Sequence, residues 1–199
     1  MARIDLDKLS QKKNYSRQDS RRSRAWFDEQ VKYLQNQVST TSLMANSQRR
    51  KDYIMPGQMY MFFYHPIGVD TLPYYDIFPL ILPFAEDATT FTGINFHYLP
   101  TKVRFVLLKN LLDFSTNYKL NEKSRLRIQW SYLRGVSRYQ GVDAAVKKYR
   151  KDHVQSQFLM VPGDQWFNAV MLPVEKFNTG ANMVYIDKNL VWKDSTRLL

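Results

Sequence analysis

Residues 56 to 100 contain no Lys or Arg, although the whole chain carries 29 of them against 18 Asp and Glu. Charge segregated in this way, with tyrosine and phenylalanine crowded into the cation-free block, suggests a protein built to dock against a partner rather than to process a small molecule, and the block's apolar residues come in strand-length runs. Met59 to His65 is an aromatic run, Ile77 to Phe84 sets Phe78, Leu80 and Leu82 on one side of a pleat, and Phe91 to Leu99 alternates. Pro66, Pro73, Pro79, Pro83 and Pro100 punctuate them. Proline cannot donate to a ladder, so the middle run is expected at an edge or at a bulge. The block predicts a small, strongly bent, barrel-like antiparallel sheet.

Charge is segregated around that block. Residues 1–55 carry twelve Lys and Arg against six acids, residues 101–151 carry thirteen against three, and residues 56–100 hold four acids alone. Such a basic chain suits nucleic acid, anionic lipid or an acidic protein, since each gains the same screened attraction. With 44% hydrophobic and 15% aromatic residues the chain is expected to fold rather than remain disordered. It has no cysteine, which removes disulfides, thiolate zinc sites and cysteine nucleophiles. The start lacks an apolar signal core, and no run of about 18 apolar residues occurs, so neither secretion nor membrane spanning is expected.

The expected organisation is a basic arm over 1–22 and a single α+β domain over 23–199, with a sheet core at about 57–99 and helices and short strands over 101–199. Phe27, Val31, Leu34 and Val38 have helical spacing, and Thr41 or Ser42 could cap a short helix to Arg50. After Pro100, Val103, Val106, Leu107, Leu111 and Phe114 predict a helix. Leu126, Ile128, Trp130 and Tyr132 alternate with Arg125 and Arg127, as in a strand with one basic face. Val142, Ala145, Val146 and Tyr149 predict a helix to His153 with Lys147, Lys148, Arg150 and Lys151 in its last turns, where cations suit the dipole. Phe158 to Val161 is an apolar run, Pro162-Gly163-Asp164 a turn, and Gln165 to Val170 a brief helix. Val184–Ile186 and Leu190–Trp192 are expected to be extended.

No catalytic motif is present. His65 and His97 lie near strand ends with Asp70 or Asp76 within reach, which could form a metal or acid–base site, but a structural histidine is the simpler expectation. Asp70, Asp76, Glu86 and Asp87 with Lys102 could resemble a metal-dependent nuclease set, although turn carboxylates beside apolar strands commonly serve solubility. No phosphate-binding glycine loop or nucleic-acid motif occurs. The expected binding set is therefore cationic: Lys12, Lys13, Arg17, Arg21, Arg22 and Arg24 on the arm, then Arg125, Arg127, Arg134, Arg138, Lys147, Lys148, Arg150 and Lys151. This set meets either DNA phosphates or an acidic protein. Tyr60, Phe62, Tyr74, Tyr75 and Tyr98 are the expected apolar anchors of a protein interface. No metal, cofactor, membrane or small-molecule substrate is expected.

The stretches Pro56-Gly57-Gln58-Met59-Tyr60-Met61-Phe62-Phe63-Tyr64-His65-Pro66, Leu72-Pro73-Tyr74-Tyr75-Asp76-Ile77-Phe78-Pro79-Leu80 and Gly93-Ile94-Asn95-Phe96-His97-Tyr98-Leu99-Pro100 with Arg104 carry a family likeness. So do Leu126-Arg127-Ile128, Pro162-Gly163-Asp164-Gln165-Trp166 and Val191-Trp192-Lys193-Asp194-Ser195. Over residues 24 to 195 the chain resembles a virion protein family of T-even-like contractile-tailed bacteriophages. The resemblance implies a non-enzymatic virion component, assembled in the host cytoplasm, that binds neighbouring virion proteins in a symmetric assembly or packaged DNA. The resembled family is DNA end protector-like, and the main reading is a structural component acting by multivalent contacts with tail, baseplate or neck proteins or with packaged DNA ends. A sequence-independent protector of DNA ends is the alternative, and a nuclease a second one.

Overall fold

The computed structural model describes residues 47–115 and 142–196. The chain divides between Ser39 and Thr40, and every described residue lies in the second unit, Thr40–Leu199. The 1–22 arm, the helix expected from Arg24 to Val38 and the strand expected around Leu126 to Tyr132 lie outside the described residues.

Among the described residues, nine strands make two antiparallel sheets. The larger contains β1 (Arg50–Lys51), β2 (Met59–Met61), β4 (Leu80–Glu86), β5 (Thr90–Asn95), β6 (Val146–Arg150) and β7 (Phe158–Val161), in the order β1-β7-β2-β4-β5-β6. The smaller contains β3 (Tyr75–Asp76), β8 (Phe177–Thr179) and β9 (Val184–Tyr185). Three helices complete the described fold: α1 (Thr101–Ser115), α2 (Trp166–Met171) and α3 (Lys188–Thr196). The class is α+β, as the residue pattern indicates. The larger sheet is open, however, because among the described residues β1 and β6 are its edges and do not pair with each other.

The proline-marked strand lies in the middle of the sheet. β4 pairs with β2 on one side and β5 on the other, and the register shifts between Pro83 and Ala85. A bulge there accommodates a residue without an N–H. Gly57, at φ 84°, turns the chain into β2 and donates its N–H to the Pro83 carbonyl at 2.9 Å. Gly93, opposite Pro83, has no room for a side chain: an added Cβ would stand 2.9 Å from both the Leu82 carbonyl oxygen and the Pro83 Cα.

Strand alternation sorts the core. One face gathers Tyr60, Phe62, Ile81, Phe91, Tyr149 and Phe158 into a cluster. Phe62 meets Phe91, Tyr149 and Phe158 edge-on at 5.2 to 5.6 Å, and Phe91 stacks on Tyr149 at 5.2 Å. Edge and offset geometries of this kind add to the burial of the rings. Met59, Met61, Leu80, Leu82, Ile94 and Val161 alternate with these residues and are also buried.

α1 packs against α2, with Phe105 and Phe167 rings 5.3 Å apart. Its buried side is Arg104, Leu107 and Leu108, whereas Val106, expected on the apolar stripe, is exposed. Two other expectations need correction. Val142–His153 is not a helix: a short 3-10 turn at Asp143–Ala145 leads into strand β6, then into a second at Lys151–His153. Leu190–Trp192 is helical within α3, whose first turn is capped by Asp187, the carboxylate accepting from the Asn189 N–H at 2.9 Å. Near the chain entry, Ser47–Arg49 is a 3-10 turn and Arg50 already belongs to β1.

Candidate nucleic-acid interface

The described residues are almost neutral. They hold thirteen Lys and Arg against twelve Asp and Glu, so nearly all of the chain's +11 belongs to residues 1–46, 116–141 and 197–199, with sixteen cations against six acids. Lys12, Lys13, Arg17, Arg21, Arg22, Arg24, Arg125, Arg127, Arg134 and Arg138 all fall there, outside the described residues.

The four expected cations that are described sit on β6 and the turn after it, and the fold engages three of them. β6 pairs with β5 as an edge strand, Lys147 opposite Gly93 and Tyr149 opposite Phe91. The period of two therefore turns Lys147 and Tyr149 inward while Lys148 and Arg150 face out. Lys147 lies half-buried with its ammonium 4.1 Å from the centre of the Tyr98 ring, and burial lowers its pKa to about 8. Arg150 forms a two-pronged ion pair with Asp152, Nε donating to Oδ1 at 2.9 Å. That hydrogen bond raises the arginine pKa and lowers the carboxyl. Lys151 is 2.7 Å from Glu86. Lys148 is exposed and adds to the field that holds Asp87 down, after the hydrogen bonds from Thr90 and Thr89 that lower it to about 2. Cations on an edge strand also blunt pairing with another sheet.

The expected interface anchors are core residues. Tyr60, Phe62, Tyr75 and Tyr98 are buried, and only Tyr74 is partly open. Tyr60 and Phe62 point into the aromatic cluster, Tyr75 donates its hydroxyl to the Gly180 carbonyl at 3.0 Å, and Tyr98 packs edge-on to Phe177 at 5.0 Å. Their aromatic surface is spent inside the molecule and is unavailable to a partner. Large exposed apolar side chains are found instead at Tyr53, Met55, Ile67, Val184, Tyr185 and Leu190.

The carboxylates and histidines considered for catalysis are also placed. Asp76 is buried: Oδ1 accepts from the Phe78 N–H at 3.0 Å, and Oδ2 accepts from Asn95 Nδ2 at 3.0 Å and contacts His97 Nδ1 at 2.8 Å. Asn95 also donates to the Tyr149 hydroxyl at 3.0 Å, and burial raises the Tyr149 pKa. His97 Nε2 is buried without a hydrogen-bond partner among the described residues. His65 is exposed, its carbonyl 2.8 Å from His153 Nδ1. Asp70 accepts from the Ala181 N–H at 3.0 Å, and Lys102 is exposed on α1. No group of three or more metal-ligating side chains forms among the described residues, and no helix among them is long and apolar enough to cross a membrane.

Residues that carry the family likeness converge on a second buried joint. The Arg104 guanidinium donates to the carbonyls of Leu99 at 2.6 Å, His97 at 3.0 Å and Val170 at 3.4 Å, and lies 2.5 Å from Glu175 Oε1. Trp192 Nε1 donates to the His97 carbonyl at 2.7 Å, and Lys188 reaches Glu175 Oε2 at 3.3 Å. Burial raises the Glu175 carboxyl, but Arg104, His97 and Lys188 together overcome this and hold it below its ordinary value. Burial pulls the Arg104 pKa down against the opposing influence of Glu175. The arrangement ties α1, α3, the Phe96–Tyr98 turn and the irregular segment preceding β8 together as a buried structural joint. Sequence reasoning did not single out Glu175 or Lys188. The available signal was Arg104 itself, a cation at helical spacing with the buried Leu107 and Leu108.

No catalogued protein with a curated function and no solved structure matches the chain. One family model does, that of the phage T4 terminal DNA protecting protein, over residues 6–195. That span takes in most of residues 1–46, all of the cation-rich residues 116–141 and every element of the described fold up to Ser195, so the chain belongs to the phage T4 terminal DNA protecting protein family.

Proposed function

We propose that this chain covers the ends of linear duplex DNA in a phage particle, binding phosphate charge without reading sequence and without making or breaking a bond. The family match over residues 6–195 carries this reading and favours DNA ends over a tail or baseplate site. The distribution of charge supports it. Residues 47–115 and 142–196 are nearly neutral, and sixteen cations are concentrated in residues 1–46, 116–141 and 197–199, a segregation that suits a protein gripping a polyanion with its cationic segments. An end protector meets whatever sequence the terminus has, so contacts to phosphates, which position a protein without reading bases, are the contacts it needs. Lys12, Lys13, Arg17, Arg21, Arg22 and Arg24, with Arg125, Arg127, Arg134 and Arg138, are proposed as the phosphate-neutralising set. Lys148 is the exposed cation of β6 best placed to join them.

The direct test is exonuclease digestion of a blunt linear duplex with and without the full chain at low salt. Saturating protein is expected to keep the termini intact, to leave an internal endonuclease cut unaffected, and to release no nucleotides when magnesium is added alone. Digestion at the rate of naked DNA under saturating binding would reject the reading.

A further inference from the structure

A cavity of about 470 Å³ opens beside β1, between the Lys51–Ile54 segment and the Val154–Phe158 segment. That volume falls in the range of about 300–1,000 Å³ over which proteins hold small organic groups. Its floor is apolar, formed by the buried Ile54 and Phe158. Its polar lining includes Gln155, Ser156 and Gln157, and Tyr53 stands on its wall with 55% of its surface exposed.

The charges lining it cancel. Lys51 and Lys151 are matched by Asp52 and Glu86, Lys151 lies 2.7 Å from Glu86, and Gln157 Nε2 donates to Asp52 Oδ1 at 2.7 Å. A phosphate would find little net attraction there. A planar heterocycle fits the chemistry better, because an exposed tyrosine ring gives it a stacking face and the carboxamides of Gln155 and Gln157 carry both donors and acceptors. Stacking and adaptable amides tolerate any base. Residues 1–46, proposed above to bind phosphates, join the described fold four residues before Lys51.

We infer that this cavity seats the terminal nucleobase of the bound DNA end, stacked on Tyr53. The inference rests on the end-binding reading and adds to it a place for the last base. In the test, a fluorescent adenine analogue is placed at the terminal or at a central position of a blunt duplex, and the full chain is added to saturation, with binding followed independently by anisotropy. The terminal probe is expected to change its emission on binding while the central probe does not. Tyr53→Ala, a change at an exposed side chain, is expected to abolish the terminal response and weaken end binding about tenfold. Tyr53→Phe is expected to preserve both, and a 5′-phosphate on the duplex is expected to make no difference. Saturating binding with an unchanged terminal probe, or a full response from Tyr53→Ala, would overturn the cavity assignment while leaving end protection standing. Failure of the duplex to bind would overturn both.

Discussion

Replacing Arg104 with methionine removes the guanidinium and keeps most of the apolar volume of the side chain. Arg104 is fully buried, and the Glu175 side chain is only 2% exposed. Without the arginine, Glu175 retains the contact with Lys188 at 3.3 Å, whose side chain is 31% exposed. Removing one partner of a buried ion pair costs about 3–5 kcal/mol, and the carbonyls of Leu99 and Val170 lose a charged donor as well. The expected loss is therefore about 4 kcal/mol, a large fraction of a stability that is ordinarily about 5–15 kcal/mol. The loss should depend on pH with a definite sign. In the wild type the Glu175 pKa is depressed, so its contribution is present above the unfolded value and is lost as pH falls through the folded one. In Arg104→Met burial dominates, the carboxyl takes its proton at higher pH, and the deficit narrows on going from about pH 7.5 to about pH 5. Adding Glu175→Gln should recover part of the loss by removing the stranded charge. Urea denaturation of the three proteins at both pH values measures all of this. A loss below about 1 kcal/mol, or one that neither narrows with acid nor recovers in the double variant, would refute the assignment of Arg104 and Glu175 as a coupled structural joint.

Phe62→Ala should cost about 3–5 kcal/mol in chemical denaturation, because the ring is held in the aromatic cluster rather than offered to a partner. Lys147→Met should stabilise the protein at neutral pH, by at most about 3 kcal/mol. Its folded pKa of about 8 lies below the ordinary 10.5, so wild-type stability rises between those values as the unfolded chain holds the extra proton. The variant should lack that rise in thermal melts across the window and should keep its DNA affinity. Gly93→Ala should lower the unfolding midpoint by an amount equivalent to about 1–3 kcal/mol, because its Cβ meets backbone at Leu82 and Pro83.

What the residues reveal in advance depends on how local the physics is. The cation-free block, its apolar runs and its prolines identify β2, β4 and β5 and the bulge at Pro83, because burial and the missing N–H act at the residue that carries them. α1 and α2 are legible for the same reason. β6 was not, since Val142, Ala145, Val146 and Tyr149 mimic a helical stripe: Val142 and Ala145 are buried by a 3-10 turn, and Tyr149 by the strand that follows. What decides between the two is the distant partner β5, whose Gly93 faces Lys147. α3 carried a readable cap in Asp187, hidden by the shortness of its apolar run. The exposed interface was misjudged at Tyr60 and Phe62 because an aromatic in a strand reads alike whichever surface covers it. The contact of His97 with Asp76 was within reach as a structural histidine beside a carboxylate, but the pairing of Arg104 with Glu175 was not, because the two come from separate elements that only the fold brings together.

The central claim is that the charge concentrated in residues 1–46, 116–141 and 197–199 holds a DNA end. Its most direct measurement is the affinity of the full chain for a blunt linear duplex and for the same sequence closed into a circle, across a salt series. The account predicts tighter binding to the linear form and a log–log salt slope of about −0.9 for each phosphate neutralised. Equal affinity for circle and linear duplex, or an affinity indifferent to salt, would contradict it.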